Sequence, residues 1–131
     1  MSMYIKPYNR YQRRPVYHWG SVESDVHVPI DVIAEGDSYL IEMIVPGLEP
    51  DDVEIEIVDK TIDIQGEFIA AADDVNYLRK ERPTGKFRRV IRLPKSLDME
   101  KSDANLKNGI LSLRVPVSEE ALPKTIKIKA K

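Results

Sequence analysis

Cysteine is absent from the 131-residue sequence, and histidine occurs only as His18 and His27. Without cysteine there is no disulfide framework, no thiolate zinc knuckle, no thiol nucleophile and no thiol redox couple, a composition that suits a reducing compartment. Two histidines without a supporting ligand motif fall short of the four donors that a structural zinc site needs, so no metal is expected. Long apolar runs are also missing: nothing approaches the roughly 18 residues that a membrane-spanning helix requires. The N-terminus lacks the apolar core of a secretory signal. The expectation is a cytoplasmic protein with no membrane partner. No Gly-rich phosphate loop, no Gly-x-Ser-x-Gly elbow and no Ser/His/Asp grouping occurs, which leaves nucleotide binding and hydrolysis without support. Asp51-Asp52 and Asp73-Asp74 sit in polar, charged surroundings where ionised, solvated carboxylates are expected rather than an acid–base pair. The reading is a protein that is not an enzyme and carries no cofactor.

What is present is unevenly distributed. Lys6, Arg10, Arg13 and Arg14 fall in the first 20 residues without an acid, and four lysines fall in residues 124–131, also without one. The body between them holds 12 basic and 22 acidic groups, so a body of −10 is flanked by two arms of +4. Basic arms suit nucleic acid, but an acidic body repels a duplex brought close to it, and no nucleic-acid partner is expected. Tyr4, Tyr8, Tyr11, Tyr17 and Trp19 are five of the nine aromatic residues, all in the first arm. Tyr and Trp offer large apolar area at low side-chain entropy cost, so an arm of this composition adheres to varied partners or to copies of itself.

Beyond Ser24 the apolar residues recur with a period of two, and helical periodicity is nearly missing. The runs Val28 to Ala34, Ser38 to Val45, Val53 to Ile57, Ile62 to Ile64, Phe87 to Leu93, Ala104 to Leu106 and Ile110 to Val115 predict an all-β sandwich or barrel of seven or eight strands. Glu35-Gly36-Asp37, Asp59-Lys60 and Asn108-Gly109 supply the tight turns. Asp98 to Ser102 has room for a helical turn at most. Three regions follow: an aromatic, basic arm over 1–25, a domain over 26–117 and an extension over 118–131.

Two segments stand outside this pattern. The connection from Phe68 to Thr84 is too long for a hairpin, and within it Asn76, Tyr77, Leu78 and Arg79 have the character of a short projecting strand. Such an element suits pairing with a neighbouring chain and exchange between identical subunits. In the extension, Ile126 and Ile128 alternate with lysines, so an extended tail puts both isoleucines on one side, suited to a sheet edge of its own domain or of another. Burying the two yields about 3–6 kcal/mol gross, from which ordering the tail subtracts much. Attachment is therefore weak singly and effective in numbers.

Three stretches resemble the α-crystallin domain of the small heat-shock protein family. The segment Glu81-Arg82-Pro83-Thr84-Gly85-Lys86-Phe87-Arg88-Arg89-Val90-Ile91-Arg92-Leu93-Pro94 is similar to that family's E-R-x-x-G-x-F-x-R-x-x-x-L-P. Leu106-Lys107-Asn108-Gly109-Ile110-Leu111-Ser112-Leu113-Arg114-Val115-Pro116 is similar to L-x-N-G-V-L-x-[IVL]-x-[VI]-P, and Ile126-Lys127-Ile128 to the I-x-I tail. The resemblance implies an immunoglobulin-like β-sandwich with flexible extensions, dimers made by exchange of the strand containing Tyr77 to Arg79, with Arg89 at the dimer interface, and larger homo-oligomers. It implies ATP-independent holding of unfolding proteins in a stress response, with the aromatic arm on clients and ATP-dependent chaperones downstream. The I-x-I tail is implied to dock in an apolar groove of another dimer, assigned here to Ile55, Ile57 and Leu106, although ordinary core positions suit those three equally. Two departures stand out: the arm is short and rich in Tyr rather than Phe, and Ile110 stands where Val is usual. The rival reading is a co-chaperone module of the related CS-domain type, which binds a folded chaperone and lacks such a tail.

Overall fold

In the computed structural model of the chain, residues 26–130 are described. Seven strands follow one another: β1 (Ile30–Glu35), β2 (Ser38–Ile44), β3 (Val53–Val58), β4 (Thr61–Phe68), β5 (Gly85–Arg92), β6 (Asp103–Lys107) and β7 (Ile110–Pro116). They form two antiparallel sheets, a four-stranded one in the order β1-β2-β7-β6 and a three-stranded one in the order β3-β4-β5. The fold is the all-β sandwich expected from the period-two pattern.

Alternation decides which face of each strand is buried. In the larger sheet Ile41, Met43, Leu111, Leu113 and Val115 point inward, and in the smaller sheet Ile62, Ile64, Phe87 and Ile91 answer them. No polar or charged residue is buried among the described residues, so the core is held by apolar burial alone. The polar faces are outside: Arg88 donates to Asp63 across β4 and β5 from Nε at 2.9 and 3.1 Å. Those hydrogen bonds and the carboxylate charge push the Arg88 guanidinium above its usual value.

The turns use the residues that their backbones need. Asn108 and Gly109 both have positive φ, 54° and 76°, as a two-residue turn between β6 and β7 requires, and the Val45 amide donates to the Gly109 carbonyl at 2.7 Å. The crossing from β5 to β6 is pinned at one end of the sandwich. There the amides of Leu93 and Leu97 donate to the carbonyls of Lys60 and Asp59, both at 2.8 Å. Asp98 to Ser102 is a hydrogen-bonded turn rather than a helix, with the Asp98 carboxylate accepting from the Lys101 amide. Two short 3₁₀ turns, Pro50–Asp52 and Glu119–Ala121, carry no apolar periodicity and went unforeseen. The first strand begins at Ile30, two residues later than its apolar run predicts, because Val26 and Val28 are drawn onto β5 instead.

At one point the two halves of the smaller sheet approach too closely for a side chain. A Cβ added to Gly66 on β4 would lie 2.5 Å from Phe87 Cζ and 2.9 Å from the Asp52 carbonyl oxygen. The Phe87 ring is buried in the core and cannot swing away into solvent. Gly66→Ala is expected to lower stability by about 1–3 kcal/mol, in the range of overpacked cores, as a lower urea midpoint at unchanged slope. A wild-type midpoint would show that the site relaxes freely.

Candidate functional site

Open sheets have edges whose backbone groups lack partners, and the sandwich has four of them. The β5 edge is covered from within the chain: the Val26 amide donates to the Lys86 carbonyl at 3.3 Å, and Arg89 Nη1 donates to the Val28 carbonyl at 3.0 Å. The Arg89 side chain therefore fastens the entry of the domain to its smaller sheet.

The β3 and β6 edges flank a groove of about 230 Å³. Ile55 and Leu106 line it, as the sequence suggested, together with Val53, Ala104 and Leu111. Ile57 shares their side of β3 but stands beyond the lining, packed half-buried against the core. Val53 and Ala104 were missed, although the same alternation signals them: Val53 is two residues before Ile55, and Ala104 two before Leu106. Glu54 and Glu56 alternate with the lining residues and point to the other face of β3, where Glu54 accepts from Gln65 Nε2 at 3.5 Å and Glu56 stands near Arg88.

The tail leaves the domain after Leu122, which follows the second 3₁₀ turn that Lys101 anchors through Glu119 at 3.0 Å. From Pro123 to Ala130 every residue is exposed and without regular structure. Ile126 and Ile128 are 86% and 98% exposed. The tail thus does not reach the groove of its own domain.

The β1 edge is the fourth, and it is free. Val32 and Ile33 are both exposed there. Asn76, Tyr77, Leu78 and Arg79 form no strand within the chain. Leu78 is 99% exposed, Arg79 pairs with Glu81 at 3.0 Å, and the Lys80 ammonium stands 5.9 Å from the centre of the Tyr77 ring. The aromatic arm residues Tyr4, Tyr8, Tyr11, Tyr17 and Trp19 lie outside the described residues. No cluster of His, Asp or Glu suited to a metal occurs among the described residues, nor a helix long and apolar enough to cross a membrane.

The family profile "Hsp20/alpha crystallin family" matches residues 31–129. The chain belongs to the small heat-shock protein family. It is 31% identical over 132 residues to the "18 kDa heat shock protein" of Streptomyces albus G, covering 98% of this chain and 92% of that one. It is 36% identical over 100 residues to "Small heat shock protein C4" of Rickettsia felis, covering 75% and 61% of the two. Among solved structures, a small heat-shock protein from Xylella fastidiosa superposes with a TM-score of 0.68 at 25% identity, over 82% of this chain and all 100% of the other. Heat shock protein 16.0 from Schizosaccharomyces pombe does so with 0.66 at 26% identity, over 81% and 99%. The sandwich of this small heat-shock protein is therefore the α-crystallin domain.

One residue of the site can be tested within a single chain. Loss of the Arg89 guanidinium removes a charge-assisted hydrogen bond of about 1.5 kcal/mol or more, so Arg89→Ala should speed amide exchange at Val26 by at least about tenfold. Unchanged protection would mean that β5 holds this segment without Arg89.

Proposed function

We propose that this small heat-shock protein is an ATP-independent holdase working as a dynamic homo-oligomer of strand-exchanged dimers. The observation that carries the reading is a joint whose two halves are both unmatched in one chain. An apolar groove between β3 and β6 stands open, while Ile126 and Ile128 of the same chain are exposed to water. Insertion of the tail of one dimer into the groove of another satisfies both, with Ile55 and Leu106 as the floor. The lysines that alternate with the two isoleucines then face away from the groove and stay in water. The same logic applies to the dimer. Asn76 to Arg79 of one subunit add to the free β1 edge of its partner, where main-chain hydrogen bonds and burial of Tyr77 and Leu78 replace solvent contacts. The Xylella fastidiosa relative, described as having a distinct high-order structure, supports assembly of this kind.

Weak joints give the activity. A tail that buries two isoleucines releases readily, and released subunits present apolar surface, including the aromatic arm, to proteins that heat has partly unfolded. Covering exposed client patches blocks the bimolecular step of aggregation without any fuel, and ATP-dependent chaperones take over the clients afterwards. The setting is the cytoplasm.

Native mass spectrometry tests the joint: the full chain should appear as a multiple of dimers, and a chain truncated after Lys124 should fall to dimers. Light scattering of a heat-aggregating enzyme tests the activity, with clear suppression expected at equal mass. A full-length chain that runs as a monomer and leaves scattering unchanged would favour the CS-domain alternative, in which the partner is a folded chaperone.

A further inference from the structure

The connection between β4 and β5 has a shape that its backbone does not explain. From Asn76 to Thr84 no amide donates to a main-chain carbonyl and no carbonyl accepts from a main-chain amide among the described residues. The hollow of about 260 Å³ that this stretch borders is walled by the connection itself, Ile69, Ala71, Tyr77 and Arg82 among its residues. Neither a hydrogen-bonded ladder nor the sandwich interior therefore sets the path of the chain here, and side chains have to do so.

One cation supplies most of that restraint. The Lys80 ammonium donates to the Arg82 carbonyl at 3.0 Å and to the Thr84 hydroxyl at 3.1 Å. It stands 5.9 Å from the centre of the Tyr77 ring, within the range of a cation–π contact. An ammonium has three donors and no acceptor, so two N–H groups on oxygens leave its third side for the ring. A single side chain thus joins the two ends of residues 77–84 across the bends at Leu78 and Arg82. Arg79 is fastened separately, to Glu81. The outcome is a Tyr77 ring that is half-covered, at 47% exposure, beside a Leu78 that projects fully into water.

We propose that Lys80 is the positioning residue of strand exchange: it fixes the bend of residues 77–84 before a partner arrives, so that Tyr77 and Leu78 meet the β1 edge of the other subunit already shaped. The proposal rests on the strand-exchange reading above and adds to it the group that governs how readily exchange starts. A stretch without this restraint has to be ordered at the encounter, which weakens binding by slowing association. The groups that Lys80 touches are all in its own connection, so its loss alters the waiting chain and leaves the finished joint as it was.

Two quantities measured on full-length chains test this. The concentration at which the amides of β1 lose half of their protection from hydrogen exchange on dilution gives the affinity of the dimer. The rate at which isotope-labelled and unlabelled chains form mixed dimers, followed by native mass spectrometry, gives its dissociation. Lys80→Met keeps the apolar stem and loses the charge and the donors. It should raise the half-protection concentration about fivefold, the scale of one exposed cation–π contact, at an unchanged mixing rate. Lys80→Arg keeps a cation and donors and should stay within about twofold of the wild type. An unchanged concentration for Lys80→Met would overturn the proposal, as would an equal loss for Lys80→Arg. Faster mixing would overturn it too, by marking Lys80 as a contact of the finished joint. If the β1 amides of the wild-type chain exchange freely at every concentration, the strand-exchange reading itself fails, and this proposal with it.

Discussion

An antiparallel sandwich buries one face of each sheet against the other, but nothing in that arrangement satisfies the outermost strands. The hydrogen-bonding groups along four edges are left over, and each edge has to be covered by the chain, met by a partner or surrounded by charge. The chain resolves them unequally. It covers β5 with Val26 to Val28 and the Arg89 guanidinium, keeps an apolar groove open between β3 and β6, and leaves β1 bare. The edges that the fold did not close keep their backbone groups available to a partner strand.

Energies separate scaffold from attachments. The sandwich interior is wholly apolar, with Phe87, Ile41, Met43, Ile62, Ile64, Val45 and Val115 as its most deeply buried large residues. Each is worth about 1.5–3 kcal/mol in burial, and together they make the domain a fixed platform. A tail contributing two isoleucines, or an arm contributing one or two rings, supplies only a few such terms and must order a flexible segment in return. Contacts on that scale form and break with modest changes in temperature.

The comparison between residues and structure is instructive at particular strands. All seven strands were legible, because Val53, Ile55 and Ile57 or Leu111, Leu113 and Val115 alternate with polar residues in the only way that buries one face. Ile55 and Leu106 line one groove, and the same alternation puts each on the apolar side of its strand. Ile57 stands outside the lining of that groove, because alternation tells which side of a strand a residue occupies, not how far along the strand the groove extends. The segment Asn76 to Arg79 reads as a strand but does not become one in a single chain, since strand character is completed only by a partner edge.

The order of residues alone determined the class of fold, the turns, the lack of redox and metal chemistry based on cysteine, and the two isoleucines of the tail. These follow from local rules: side-chain periodicity, backbone freedom at Asn108 and Gly109, and the chemistry of the residue types present. The tertiary structure alone decided which strands became edges, that Arg89 reaches the Val28 carbonyl across 61 positions, that Asp31 and Glu42 face each other, and that Val53 and Ile55 share a groove with Ala104 and Leu106. Those facts depend on which strands the sandwich places side by side, and strand order is set by the burial of the whole core rather than by any stretch of sequence.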